Sequence, residues 1–433
     1  MNLFALVPRM IPFAKPDGVA EHTGEFLAAL ATRHRVVAIT PLDPDMDLSR
    51  HPLARRIKPI EVRIGDRTRR FRILEADLPT RVHAVLLEPE PRVGEGYDLL
   101  EPWAWFARAA FSYQSETPKD ALLVFGWRTG IACRDKPAAL PSLVVVHDPA
   151  DDGRFPSDQA LALGLEPGAG NGEYSGLRQA LSSCDAAIGL DPAGPFLHVP
   201  PGINTLEWNP STDRALPLGF GPKDLRGKRR AKAEAQYLFG LDIDPSIPLF
   251  VLPASGEDRQ GVQDAIASMV TAPAQVVVMN EPDPEAGPFG ALMERFPDRV
   301  HVTGALEPPH RKLLLAAADF AVFRHWRADP TGPLKALCFG AVVVIDDSPG
   351  FPEPVVDMDP EGRSGTGFVY DGRRRDGLHA ALERARAFFH HDGGLMDKAR
   401  EQALSLDLGW ERPLLLMDEI LQGAVKNKTG AAS

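Results

Sequence analysis

The pattern that constrains this chain most is the recurrence of short, apolar runs separated by stretches with helical spacing. Leu3–Val7 is one such run, ended by Pro8. After a loop containing Lys15, Pro16 and Gly18, the residues Val19, Phe26, Leu27 and Leu30 fall on one helical face, and Val36–Thr40 is apolar again. Strand, loop, helix and strand in this order make a βαβ unit, which needs a right-handed crossover and a parallel sheet covered on both faces. Ala121–Phe125, Ser142–Val146 and Asp185–Leu190 continue the same sheet, because a strand buried on both faces shows no polar alternation.

Between Ser211 and Lys232 the chain turns polar and carries a basic run of Lys223, Arg226, Lys228, Arg229, Arg230 and Lys232, read here as a solvated helix face. The alternation then restarts. Strands are expected at Leu249–Leu252, Val276–Met279, Val300–Val302, Phe320–Phe323 and Val342–Ile345, with helices near 261–270, 286–296 and 309–318, and two more at 375–390 and 411–422. The expected fold is therefore α/β, with two Rossmann-like doubly wound domains facing across a cleft: residues 1–212 and 213–408, a C-terminal helix at 409–425 packing back towards the first domain, and a frayed tail at 426–433. A length of 433 residues suits two domains.

Charge and cysteine content narrow the function classes. Forty-eight basic against 59 acidic residues give a net charge of −11, which argues against nucleic acid or an anionic membrane as partner but leaves room for a local anion pocket. Cys133, Cys184 and Cys338 form no CxxC pair, and three thiols in so long a chain fit a reducing cytoplasm. Leu3–Val7 is too short for a signal-peptide core or a membrane span. The 41 prolines and 38 glycines follow no period and mark many short loops. No GxGxxG follows a strand, and GxxxxGK[ST], HExxH and GxSxG are absent, so dehydrogenase, P-loop, zincin and α/β-hydrolase readings fall away and no metal site is expected.

What the first strand-to-helix loop does contain is Lys15-Pro16-Asp17-Gly18-Val19-Ala20-Glu21, an ammonium and a glycine at a helix N-terminus, where a diphosphate can bind. This loop resembles the K-x-G-G-L donor loop of bacterial glycogen synthases and plant starch synthases. Further matches follow in the same order: Val145-Val146-His147-Asp148, Gly153-Arg154-Phe155-Pro156 and Leu163-Gly164-Leu165; then Gly202-Ile203-Asn204 with Trp208-Asn209-Pro210 and Thr212-Asp213, similar to G-I-D and W-N-P-x-T-D; then Leu225-x-Gly227-Lys228 with Lys232, Gly365-Thr366-Gly367-Phe368 and Gly409-Trp410-Glu411-Arg412. The similarity is collinear over nearly the whole chain. It implies the two-domain GT-B fold and retaining transfer of glucose from a nucleotide-diphosphate sugar of the ADP-glucose type to an α-1,4-glucan, with no cofactor beyond that substrate. By the same resemblance His147 and Asp329 are candidate catalytic residues, and Lys15, Gly18, Arg259, Arg327, Gly350, Thr366 and Gly367 candidate donor-binding residues.

The departures from the family pattern fall on the groups that would neutralise the leaving diphosphate. The family's G-R-x-x-x-x-K-G loop corresponds to Ala254-Ser255-Gly256-Glu257-Asp258-Arg259-Gln260-Gly261, so Ser255 and Gln260 stand at its arginine and lysine, and two carboxylates join the loop. Arg259, Arg324 and Arg327 are the candidate compensators. For the glutamate of E-P-C-G two alignments stay open: Arg327, without gaps from Gly340, or Asp329 in Asp329-Pro330-Thr331-Gly332. The acceptor-side H-D-W-H-T passage reads Phe125-Gly126-Trp127-Arg128-Thr129, and T-G-G-L reads Ser348-Pro349-Gly350-Phe351, whose proline removes one N–H donor. Two functions follow as alternatives: a divergent glycosyltransferase acting on nucleotide sugar and α-glucan, or a degenerate synthase homologue that binds glucan or nucleotide and serves a protein partner as regulator or scaffold.

Overall fold

The computed structural model describes the chain outside residues 16, 45, 50, 91–97, 114–117, 167–171, 192–193, 254–258, 286, 325–328, 349–352, 360, 362–363, 392 and 431–433. It divides into two compact units, residues 1–201 with 410–433, and residues 202–409.

In the first unit parallel strands run in the order Leu197–His198, Ala186–Gly189, Ser142–Val146, Ala121–Phe125, Asn2–Leu6, Arg35–Pro41 and Val82–Glu90. The chain order reverses between Asn2–Leu6 and Ala121–Phe125, the switch point at which doubly wound sheets open a crevice beyond the strand C-termini. The sheet continues antiparallel through Arg67–Asp77, to which Ile60–Ile64 and Ala54–Arg55 pair. The sequence reading misses this extension. Ile60–Ile64 buries alternate residues only, so Glu61 and Arg63 break the apolar runs that reveal a doubly covered strand, and Gly65 at φ +60° makes the tight turn. Helix Gly18–Leu30 buries Phe26, Leu27 and Leu30, and helix Leu100–Ser112, also unread in the sequence, buries Trp103, Trp105 and Phe106. The last helix, Glu411–Gly430, belongs to this unit and lays Leu414, Met417 and Leu421 into the cluster that holds Leu3, Phe26 and Leu30.

The second unit is one parallel sheet in the order Val300–Val302, Gln275–Met279, Leu249–Pro253, Phe320–Phe323, Val342–Asp346 and Gly367–Tyr370, with its switch point between Leu249–Pro253 and Phe320–Phe323. The helix expected at 286–296 is confined to Gly290–Arg295, and a helix at Gly393–Leu404 follows Gly377–His391. The sequence boundary at 212 falls inside this unit. Trp208 is buried here, its ring 4.7 Å from the Lys335 ammonium and 6.1 Å from Phe339, and a Cβ on Gly227 would stand 2.4 Å from the Leu218 carbonyl oxygen, so the passage after Gly202 is packed onto the second unit.

The basic run forms helix Arg226–Leu238, but it is not the solvated face expected: Lys228 and Lys232 are buried. Lys228 Nζ donates to the carbonyl oxygens of Ala316, Ala318 and Phe339 at 3.0, 2.9 and 2.9 Å. Those carbonyls end helices Pro308–Ala317 and Gly332–Cys338 and lack intrahelical partners. Lys232 donates to Pro245, Ile247 and, at 2.7 Å, Asp319 Oδ2. Burial pushes the Lys228 ammonium well below its ordinary range. Burial also pushes the Asp319 carboxyl up, yet Lys232 and Arg400 outweigh it and hold Asp319 below the usual carboxylate range. These lysines join the sheet to its helices. Among the described residues no helix is long and apolar enough to cross a membrane.

Candidate functional site

In the first unit the candidate residues gather at the C-terminal edge of the parallel strands. Lys15 lies exposed in the loop leaving Asn2–Leu6, and Gly18 opens helix Gly18–Leu30. Asp17 caps that helix, its Oδ1 accepting from Ala20 N at 2.7 Å. His22, one turn further on, brings this helix to His147, which stands just past Ser142–Val146: His22 Nδ1 and His147 Nε2 are 2.8 Å apart with the rings perpendicular. Burial lowers the His147 imidazole to about 4. The ring is therefore neutral at physiological pH and shares one proton with His22 across the bond, which leaves Nδ1 as its nitrogen not engaged by His22. His22 stacks on Phe26 and lies 5.7 Å from the Trp410 ring, so Trp410 supplies a wall beside His22. The sequence reading missed His22, whose signal is a lone imidazole four residues before Phe26 on the buried stripe.

The tryptophan passage has a packing role. Trp127 is buried, donates from Nε1 to Asp151 Oδ1 at 2.9 Å and lies 5.1 Å from Phe155. A Cβ on Gly153, at φ +61°, would stand 2.3 Å from the Trp127 ring. Arg128 is held by Asp98 and Asp151, and Thr129 Oγ1 closes the strand end by donating to Phe125 O at 3.0 Å. The retained tryptophan, threonine and glycine are thus held in place by one another and by their own strand.

In the second unit Arg259 and Arg324 both emerge at the switch point, and both have partners within the unit. Arg259 opens helix Arg259–Met269 and donates through Nη2 to Oε2 of Glu281, a buried carboxylate just past strand Gln275–Met279. The Arg259 guanidinium also lies 5.7 Å from the Phe289 ring. Arg324 hydrogen-bonds Tyr370, whose phenol burial and Asp346 push up. Gln260 turns along its own helix to Asp264 Oδ1 at 2.9 Å. Asp329 accepts from Gly332 N at 2.9 Å and from Thr331 Oγ1 at 3.3 Å, capping helix Gly332–Cys338; a Cβ on Gly332 would stand 2.6 Å from its Oδ2. Thr366 Oγ1 donates to Pro354 O and accepts from Val356 N, and Gly367 lets the Val343 carbonyl approach to 2.6 Å from where a Cβ would stand. Both pin the segment at 354–358 to the sheet. Arg327, Gly350, Ser255, Glu257 and Asp258 lie outside the described residues. Glu281 escaped the sequence reading although it lies two residues past a strand end, a region where such folds carry site residues.

One physical theme joins these contacts. Asp17 sits on one helix N-terminus, Asp329 on another, and Glu281 holds Arg259, so at each of these positive groups a carboxylate of the chain itself is the partner. Among the described residues no three His, Cys, Asp or Glu side chains gather as a metal site would require.

No family model matches the chain. Curated glycogen synthases align with it over nearly full length: that of Syntrophotalea carbinolica at 24% identity, covering 98% of this chain and 99% of the relative, and that of Myxococcus xanthus at 26%, covering 95% and 96%. The glycogen synthase of Rhodospirillum rubrum reaches 31% over 51% of this chain and 46% of its own length. Among solved structures, the catalytic domain of starch synthase IV from Arabidopsis thaliana, bound to ADP and acarbose, superposes with a TM-score of 0.86 at 19% identity, covering 98% of this chain and 99% of that one. Sucrose-phosphate synthase from Thermosynechococcus elongatus gives 0.62 at 16%, with both chains fully covered. With two doubly wound units in this order and alignment to glycogen synthases over nearly its whole length, the chain has the GT-B fold and is similar from end to end to the glycogen synthases.

Proposed function

We propose that this chain transfers glucose with retention from a nucleotide-diphosphate glucose of the ADP-glucose type to the non-reducing end of an α-1,4-glucan, and does so slowly. The observation that carries the reading is the intact edge of the first unit, where a neutral His147, locked to His22, stands beside the Lys15–Gly18 loop. A neutral imidazole can hydrogen-bond a sugar hydroxyl without repelling a cation developing at the anomeric carbon. The rate is limited by the leaving group. Each preorganised donor removed from a developing charge costs about 10²–10³ in rate, and Ser255 and Gln260 replace two cations, although such losses need not add.

A second reading rests on the self-capping carboxylates. With Asp17, Asp329 and Glu281 satisfying the groups a diphosphate would need, a noncatalytic homologue that binds glucan or nucleotide and regulates a partner is consistent with the same contacts. The discriminating experiment incubates the pure protein with radiolabelled ADP-glucose or UDP-glucose and glycogen, beside Lys15→Ala. Incorporation abolished by that substitution supports the transferase and eliminates the scaffold reading. No incorporation, with no thermal shift from either nucleotide sugar, eliminates the transferase for those donors.

A further inference from the structure

Cys133 and Cys184 are free thiols 51 residues apart in sequence whose sulfurs stand 2.7 Å from each other. That separation is closer than non-bonded sulfurs ordinarily sit and little longer than a disulfide bond of about 2.05 Å. Both are carried by ordered elements: Cys133 by the short 3₁₀ helix Ile131–Asp135, and Cys184 by the end of helix Gly176–Ser183, where its N–H donates to Ala180 O at 2.9 Å. The approach depends on Gly130, since a Cβ there would stand 2.4 Å from the Ala180 Cβ. Cys133 is buried, and contact with Cys184 together with burial holds its thiol well above the ordinary range; Cys184 is partly exposed. We propose that Cys133 and Cys184 form a modification site, a dithiol that closes to an intramolecular disulfide when the protein meets an oxidant of the small-molecule disulfide class.

The exposed partner reacts first. The Cys184 thiolate attacks one sulfur of the oxidant, forming a mixed disulfide and releasing one thiol. Cys133 then gives up its proton and attacks the Cys184 sulfur, releasing the second. Two S–H bonds are lost, one protein S–S bond forms, and two electrons reduce the oxidant to two thiols. The closed loop contains strand Ser142–Val146 and His147, so the cross-link ties the segment bearing His147 to the end of helix Gly176–Ser183.

The test uses the full chain, purified reduced and incubated with oxidised glutathione, then denatured, alkylated and mapped without reduction. The expected result is that two of the three cysteines escape alkylation, Cys338 remains alkylated, and one cross-linked peptide joins Cys133 to Cys184. Oxidation raises the melting temperature of the wild type by several degrees and leaves Cys184→Ser unchanged. In Cys133→Ala, Cys184 accumulates the glutathione adduct instead. Full alkylation of all three cysteines, a stable glutathione adduct on wild-type Cys184, or a cross-link between chains overturns the proposal.

Discussion

Replacing Glu281 by glutamine tests whether the chain's own carboxylate competes with a diphosphate for Arg259. Glu281 is 2% exposed and Arg259 35%, so the acidic partner is fixed in the core while the guanidinium reaches the surface at the switch point. Glutamine keeps the volume and a hydrogen-bond acceptor but removes the charge. A guanidinium about 5 Å from a phosphate charge, at an effective dielectric constant of about 20, is worth at most about 3 kcal/mol. Solvent screening of a one-third exposed group reduces this to about 1–1.5 kcal/mol, or roughly tenfold in affinity. Calorimetric titration of the full chain with ADP is expected to show that tightening in Glu281→Gln and its reversal in Glu281→Gln with Arg259→Ala, at a stability cost of about 1–2 kcal/mol for the weakened ion pair. The reasoning fails if Glu281→Gln leaves ADP affinity unchanged while the double variant matches it, because Arg259 then does not reach the diphosphate.

Three further outcomes are expected. The His147 pKa is about 4 in the folded chain against about 6.5 unfolded, so the unfolded state binds the extra proton. Stability then rises with pH across that window, is fully present above about 6.5, and loses on the order of 2–3 kcal/mol as pH falls to 4; urea titrations at pH 4 to 8 should show this component missing in His147→Asn. Lys228→Met orphans the carbonyls of Ala316, Ala318 and Phe339 while relieving a buried charge, and the balance is a loss of about 2–4 kcal/mol in urea unfolding of the second unit, with no loss expected if the ammonium's burial were the larger effect. Gly153→Ala forces a Cβ into Trp127 at a left-handed backbone position and costs about 2–4 kcal/mol; an unchanged melting temperature would mean that the Trp127 ring moves aside freely.

The fold was legible because its strands are covered on both faces. Val276–Met279 and Val342–Ile345 needed no partner knowledge to be read, whereas Ile60–Ile64, half exposed, looked like loop. Among the candidate residues, position was legible only where it follows from place in the chain. Lys15, Gly18 and His147 sit where strands end, and the structure keeps them at that edge. Lys228 and Lys232 misled because a charge run says nothing about which of its members turn inward. For Lys228 that choice was made by helices Pro308–Ala317 and Gly332–Cys338, whose unpaired terminal carbonyls lie some 90 residues or more further along the chain, and for Lys232 by the carbonyls of Pro245 and Ile247 and the carboxylate of Asp319.

Asp329 shows the same limit at the level of chemistry. Its spacing before Pro330 and Gly332 matches a family motif, and the identical spacing makes it a cap for helix Gly332–Cys338, with Gly332 kept free of a side chain by the carboxylate itself. A short acid three residues ahead of a helix is what either role requires, so pattern alone could not separate a carboxylate poised for a substrate from one spent on the backbone. Asp17 and Glu281 repeat the ambiguity at a second helix N-terminus and at an arginine. A positive group buried in an α/β fold attracts whichever anion is nearest, and a carboxylate tethered in the same chain has no translational entropy to lose on arrival. Substrate phosphate competes against it only by carrying more charge, which is why ADP affinity, ahead of turnover, is the measurement on which this divergent site turns.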